Sequence, residues 1–229
     1  MQSAGLGAER TALRTPRAAA VAGIVFSVLL IIVFVLLRIS VPGNPAVPGA
    51  WLSDSARRTA VTVALNLVPF AGIAFLWFIG VIRDRIGDRE DKFFGTVFLG
   101  SGLLFVALLF VAAAVAGGIL ADASAARPSS APATGSLALG RNITGLLLNV
   151  YAMRMAAVFS LSTVTIARKT PIVSRWLVVA GLVTALVLLI GTGISAWVEL
   201  LFPAWILALS VDILAAGSRA LSPAPAPHP

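Results

Sequence analysis

The sequence has no cysteine, one histidine, one tyrosine and 9 acidic residues among 229. The missing cysteine excludes disulfides, thiolate zinc sites, iron–sulfur ligation and thiol nucleophiles. The single histidine, His228, lies in a Pro-rich stretch, so no imidazole sits in an apolar run to hold a haem or to serve a Ser/His protease. Lys92 and Lys169 both fall between apolar runs, which removes a retinal-type Schiff base inside a helix. No GxxxxGK[ST] loop is present to cradle nucleotide phosphates. Charge as a whole is scarce, 11% against about 25% in a soluble domain.

Apolar residues are abundant instead, at 59%, and the mean hydropathy is +1.00. That composition excludes a soluble enzyme, a disordered chain and a nucleic-acid-binding domain. It predicts an all-α, polytopic transmembrane helix bundle. The net charge of +8 does not argue for nucleic acid, because the bases sit in short segments between apolar runs and form no stripe with interleaved aromatics.

A spanning helix needs about 20 apolar residues to cross a hydrocarbon core of about 30 Å. Six runs are read as spans: 18–37, 59–82, 93–121, 142–167, 176–194 and 196–217. The last carries Glu199 and Asp212 and is the weakest, with five spans and a re-entrant last segment as the alternative. Gly191, Gly193 and Ser195 can supply the turn before it. The first run exceeds the h-region of about 7–15 residues in a signal peptide and reads as an uncleaved anchor. Residues 1–17 read as a polar tail, 218–229 as a Pro/Ala-rich extended tail, and 121–140 as an Ala/Ser/Pro-rich segment without structure. With the N-terminus inside, eleven of the 17 Lys and Arg fall on inner segments, four on outer loops and two in helices. The positive-inside rule then predicts N-in and C-in.

Arg154 lies near the middle of the fourth run, where an arginine costs about 2.5–3.5 kcal/mol on insertion scales. At about 100° per residue, Thr144, Leu147, Tyr151, Arg154, Val158, Ser162 and Thr165 share one face. Tyr151, Arg154, Ser162 and Asp212 therefore form a candidate intramembrane polar site. Asp212 on the last run is the expected partner of Arg154. The structural reading is a buried ion pair; the functional reading is a contact to an anionic substrate. Glu199 lies too near the outer end to be the first choice for Arg154 and could instead meet Arg38. Asn66 and Pro69 interrupt the second run, as a tolerated kink or a cavity wall. Gly95, Gly100 and Gly102 permit close helix packing. Asn44-Pro45-Ala46 spells the aquaporin triplet, but only once and in a loop. The sequon Asn142-Ile143-Thr144 abuts a span. The segment 83–92, dense in both signs, reads as a solvated connector.

The runs Tyr151-Ala-Met-Arg154, Phe159 to Arg168, Pro171 to Trp176 and Phe202-Pro-Ala-Trp-Ile resemble a group of small integral membrane proteins of actinobacteria, uncharacterised in activity. Ile86-Gly-Asp-Arg-Glu-Asp-Lys-Phe-Phe94 fits the same group, and the similarity covers roughly Arg83 to Leu214. The resemblance implies six helices and a plasma-membrane location, and nothing catalytic. The expectation is thus a multi-pass protein of a bacterial plasma (inner) membrane, not an enzyme and without cofactor or metal. Its expected partners are the lipid bilayer and further copies of itself or another membrane protein, with no nucleic acid. The alternative is a small transporter or channel with Arg154 on an anionic substrate.

Overall fold

Apolar runs without polar interruption leave a backbone nowhere to bond but along itself, and each run here forms a helix. The computed structural model describes residues 3–41, 50–86, 92–125, 134–168, 174–191, 195 and 197–219. Its helices are α1 (Ser3–Ser40), α2 (Ser55–Ile86), α3 (Lys92–Ala125), α4 (Thr134–Gly145), α5 (Met153–Ala167), α6 (Arg175–Ile190) and α7 (Leu201–Arg219). A π-helical stretch, Leu146–Ala152, joins α4 to α5 as one rod. Short 3-10 turns at Ala50–Ser53 and Val198–Leu200 precede α2 and α7. The described residues therefore make an all-α protein of six helical rods without a strand.

Five rods are long and apolar enough to cross a membrane, including the last, over Val198–Ala216. The short one is α6, whose 16 residues reach about 24 Å. The weakness expected of the last helix thus falls on the fifth. Gly191 ends α6, its N–H donating to the Val187 carbonyl at 2.7 Å. The polar tail and part of the segment read as unstructured are helical. Residues 3–17 belong to α1; α3 runs on to Ala125, because the Ala-rich stretch 121–125 continues a helix at little entropic cost. The helix holding Arg154 begins at Thr134 and not at 142. The tail 220–229 with His228, the Asn44-Pro45-Ala46 loop, residues 126–133 of the Ala/Ser/Pro segment and residues 87–91 lie outside the described residues.

Neighbours in sequence are neighbours in space: α1 packs on α2, α2 on α3, α3 on the α4–α5 rod, α5 on α6, α6 on α7, and α7 closes the ring on α1. Phenylalanines fill its middle. Phe75 of α2 lies 4.4 Å from Phe26 of α1, 5.4 Å from Phe105 of α3, 5.0 Å from Phe159 of α5 and 5.8 Å from Phe202 of α7, between ring centroids. All five rings are fully buried. Small residues let the rods approach, which is the main route to tight packing where lipid supplies no hydrophobic drive. A Cβ at Gly181 would stand 2.6 Å from the Trp205 ring, whose N–H donates to the Leu177 carbonyl at 3.0 Å and docks α7 on α6. Of the glycines read as packing residues, Gly102 meets Ile79 and Phe159, while Gly100 faces open space.

Several polar side chains in the rods are satisfied locally, whereas the buried hydroxyls of Ser27 in α1 and Ser210 in α7 have no hydrogen-bond partner among the described residues. Ser160, Ser162 and Thr163 each donate to the carbonyl four residues back, at 2.8–2.9 Å. Asn66 does the same to Thr62 and is exposed, as is Pro69, so neither forms a cavity wall. Asp54 opens α2 as its cap, accepting the N–H groups of Ala56 and Arg57. Some exposed aromatics lie at the rod ends, while Phe70, Trp77 and Phe110 face outward along α2 and α3. Phe93 and Trp176 adjoin Lys92 and Arg175 at the end of the bundle where Arg17 lies, and Trp197 adjoins Glu199 at the opposite end. Amphipathic rings take such positions at a membrane–water boundary.

Candidate functional site

The end of the bundle opposite Arg17 carries a built polar cluster. Arg38 occupies the last turn of α1, and Glu199 sits in the 3-10 turn that opens α7. Because α1 and α7 are packed side by side and run in opposite directions, the two charges meet at one level. Arg38 Nη2 donates to Glu199 Oε1 at 2.6 Å and to Asn149 Oδ1 at 3.3 Å. Glu199 is buried at 6% exposure, so its charge is tolerated only because a guanidinium neutralises it directly. Asn149 belongs to the π-helical stretch. Each π turn takes in an extra residue and sets the helix phase back by about 100°. Thr144 and Gly145 before this stretch, and Leu148 and Asn149 within it, face a pocket; Tyr151 near its end and Arg154 beyond it face outward.

That pocket lies at the same end as the Arg38–Glu199 pair. It encloses about 440 Å³ between α1, α2, α3 and α4, within the usual range of about 300–1,000 Å³ for ligand sites. Its walls are apolar, with Leu37, Leu65, Leu109 and Leu148 among them. On the α3 side Ala112, Ala113 and Ala116 leave the space unfilled. Trp51 and Leu52 of the first 3-10 turn border it. The polar groups are few: Arg38, Glu199 and Asn149 at one level, and Arg141, Asn142 and Thr144 farther along α4.

The four residues of the sequence-derived polar site are not brought together. Arg154 is exposed and makes no ion pair among the described residues. Tyr151 beside it is 54% exposed. Ser162 is buried and bonds its own helix. Asp212 accepts the Ser174 N–H at 3.2 Å and the Ser174 hydroxyl at 2.9 Å, fastening the start of α6 to α7. Depth explains the separation. Asn149 and Glu199 share a level through Arg38; Arg154 lies about 7.5 Å below it and Asp212 about 20 Å below, by helix rise. Arg154→Gln is therefore expected to change unfolding stability in detergent by less than about 0.5 kcal/mol, and to add without coupling to Asp212→Ala. Asp212→Ala should instead couple to Ser174→Ala. Coupling of about 1 kcal/mol or more between Arg154 and Asp212 would contradict this arrangement.

Of the decisive residues, Asn149 and the pocket alanines carried no chemical signal of their own in the sequence. The usable sign was compositional: the small residues Ala112-Ala-Ala and Ala116 on α3, facing Ala138 and Gly145 on α4, leave a gap where two apolar helices would otherwise close. No family model matches this chain, and no curated protein or solved structure matches it, so its function has to be argued from this pocket and its charges.

Proposed function

We propose that the chain is a non-catalytic membrane protein that takes an apolar or amphipathic ligand into the pocket between α1, α2, α3 and α4. The observation that carries this reading is the 440 Å³ space itself, apolar along its walls and bordered by a small set of polar groups. The one acid in its lining, Glu199, is committed to Arg38, which leaves the pocket no carboxylate placed as a general base. A transporter reading centred on Arg154 gains no support, since Arg154 does not line this pocket. The excess of bases on the Arg17 side supports N-in and C-in in a bacterial plasma membrane, and the pocket then opens at the outer surface.

Two measurements test the reading. The natural chain has no cysteine, so Ser53→Cys, beside the pocket border, gives a clean label site. It should react with a membrane-impermeant thiol reagent in intact cells; reaction only after permeabilisation overturns the orientation. Second, Ala116→Trp should fill the pocket. Protein purified in nanodiscs should carry a bound amphiphile, detected by mass spectrometry of the extract, that the filled variant loses while keeping its melting temperature. Equal retention by both proteins rejects the pocket as a binding site.

A further inference from the structure

Two connections at the Arg17 end of the bundle differ in charge. Residues 83–92, between α2 and α3, hold four bases and four acids. Residues 168–175, between α5 and α6, hold Arg168, Lys169 and Arg175 and no acid. An anion that approaches this end therefore finds one balanced junction and one uniformly positive one.

Helix packing sets the two arginines of the positive junction at one level. A Cβ at Gly181 of α6 would stand 2.6 Å from the Val164 side chain of α5, so these two residues face each other. Arg168 follows Val164 by four residues, about 6 Å, and Arg175 precedes Gly181 by six, about 9 Å. The two rods run in opposite directions, so both displacements lead to the same end, and the two Cα atoms lie within about 3 Å of one level. Both arginines are exposed, and neither makes an ion pair among the described residues. Their backbone is held in place. Asp212 of α7 accepts the N–H and the hydroxyl of Ser174, and the Trp205 N–H donates to the Leu177 carbonyl. Asp212 offsets one positive charge of the junction and leaves an excess.

The face of α6 that continues from Arg175 is apolar. Val179, Leu182 and Leu186 follow it at spacings of four, three and four residues, which is one helix face, and all three are exposed. Trp176 borders that face and is exposed as well. α6 packs on α5 and α7 with its other sides. Paired cations thus stand at the foot of an outward apolar stripe, with an aromatic ring between charge and hydrocarbon.

We propose that the α5–α6 junction binds an anionic phospholipid. Its phosphate accepts from Arg168 and Arg175 in charge-assisted hydrogen bonds, and one acyl chain lies along Val179, Leu182 and Leu186 beside Trp176. A zwitterionic head brings its own cation against the arginines and is selected against. The site is separate from the pocket at the opposite end, and neither depends on the other.

Photolabelling in phosphatidylcholine nanodiscs tests this. Phosphatidylglycerol and phosphatidylcholine probes with the same diazirine-bearing acyl chain are compared at equal mole fraction. Labelling of residues 175–190 is read by peptide mass spectrometry and normalised to labelling around Trp77, exposed on the outside of α2. The phosphatidylglycerol probe should exceed the phosphatidylcholine probe about tenfold on α6, since each base near a surface is worth roughly fivefold for an anionic lipid. Arg168→Gln/Arg175→Gln should erase most of that preference, and Arg168→Lys/Arg175→Lys should keep most of it. Arg83→Gln, at an exposed arginine of the balanced segment, should leave it unchanged. Equal labelling by the two probes, or a preference that survives the double Gln variant, overturns the proposal. So does a preference lost equally in the Lys and Gln variants, which reports local damage and not charge, or one lost in Arg83→Gln, which reports the charge of the whole end. Excess inorganic phosphate should displace little; if it abolishes the preference, the arginines take free phosphate and the lipid assignment fails.

Discussion

Arg38→Met is expected to destabilise the protein by about 2–4 kcal/mol, read as a shift in melting temperature or in the detergent-unfolding midpoint. The substitution leaves Glu199 buried at 6% exposure with no counter-charge, and Asn149 without its donor. Breaking a fully buried pair in a soluble protein costs about 3–5 kcal/mol; here the Arg38 side chain is 26% exposed, so water relieves part of the penalty. Removing both charges removes the cause. Arg38→Met/Glu199→Met should recover most of the loss, because two apolar side chains replace an ion pair that was dehydrated to form. Glu199→Gln should cost less than Arg38→Met, since its amide oxygen still accepts from Arg38. Glu199 is buried and the contact is direct, so raising salt from about 0.05 to about 0.5 M should weaken the coupling only in part. Strictly additive single effects, or a loss below about 0.5 kcal/mol for Arg38→Met, would show that the 2.6 Å contact does not hold α1 to α7.

The helices were legible because their cause is local. Runs such as 59–82 and 93–121 contain no charged residue, and their few polar side chains bond their own helix, so apolar length specifies a rod. Rod ends were less legible. Alanine at 121–125 continues α3, and no residue between 134 and 142 forbids a helix, so composition that resembles a linker folds onto the facing rod instead. α6 shows the opposite: the apolar pattern runs to 194, but the rod ends at Ile190 because the Gly191 backbone turns. The ring order came from no single residue. It depends on small-residue seats such as Gly102 against Ile79 and Gly181 against Trp205, which name a partner only once the rods are assembled.

The residues of the sequence-derived site lie apart for a definite reason. A constant 100° per residue placed Thr144 with Arg154, and the π-helical stretch at 146–152 breaks that constancy. The extra residues it accommodates shift the phase between Thr144, which lines the pocket, and Arg154, which faces outward. Depth was misjudged by the same helix. Its span begins at Thr134, so the midpoint of 142–167 is not the midpoint of the rod. Arg38 and Glu199 were easier, because both lie at the end of an apolar run on the same side, and charge at a common level finds its opposite.

Phe75→Ala should be the most damaging single truncation in the bundle, with an expected loss of about 2–3 kcal/mol in unfolding from detergent. Phe75 touches four other rings from four other helices within 6 Å between centroids. Phenylalanine-to-alanine changes in soluble cores cost about 3–5 kcal/mol, which includes the return of apolar surface to water. In a membrane the unfolded chain returns that surface to lipid or detergent, so the lower part of the range remains: lost dispersion contacts and an unfilled void. The ring neighbours come from four different rods, so no single helix can shift to close the gap without opening another. An apolar void of this kind stays dry and admits a small aromatic. Saturating benzene should therefore restore part of the lost stability to Phe75→Ala and leave the wild type and Phe70→Ala, an exposed position on the same helix, unchanged. A loss under about 1 kcal/mol, or benzene stabilising all three proteins alike, would mean that the rings do not form the shared core that closes the six rods into a ring.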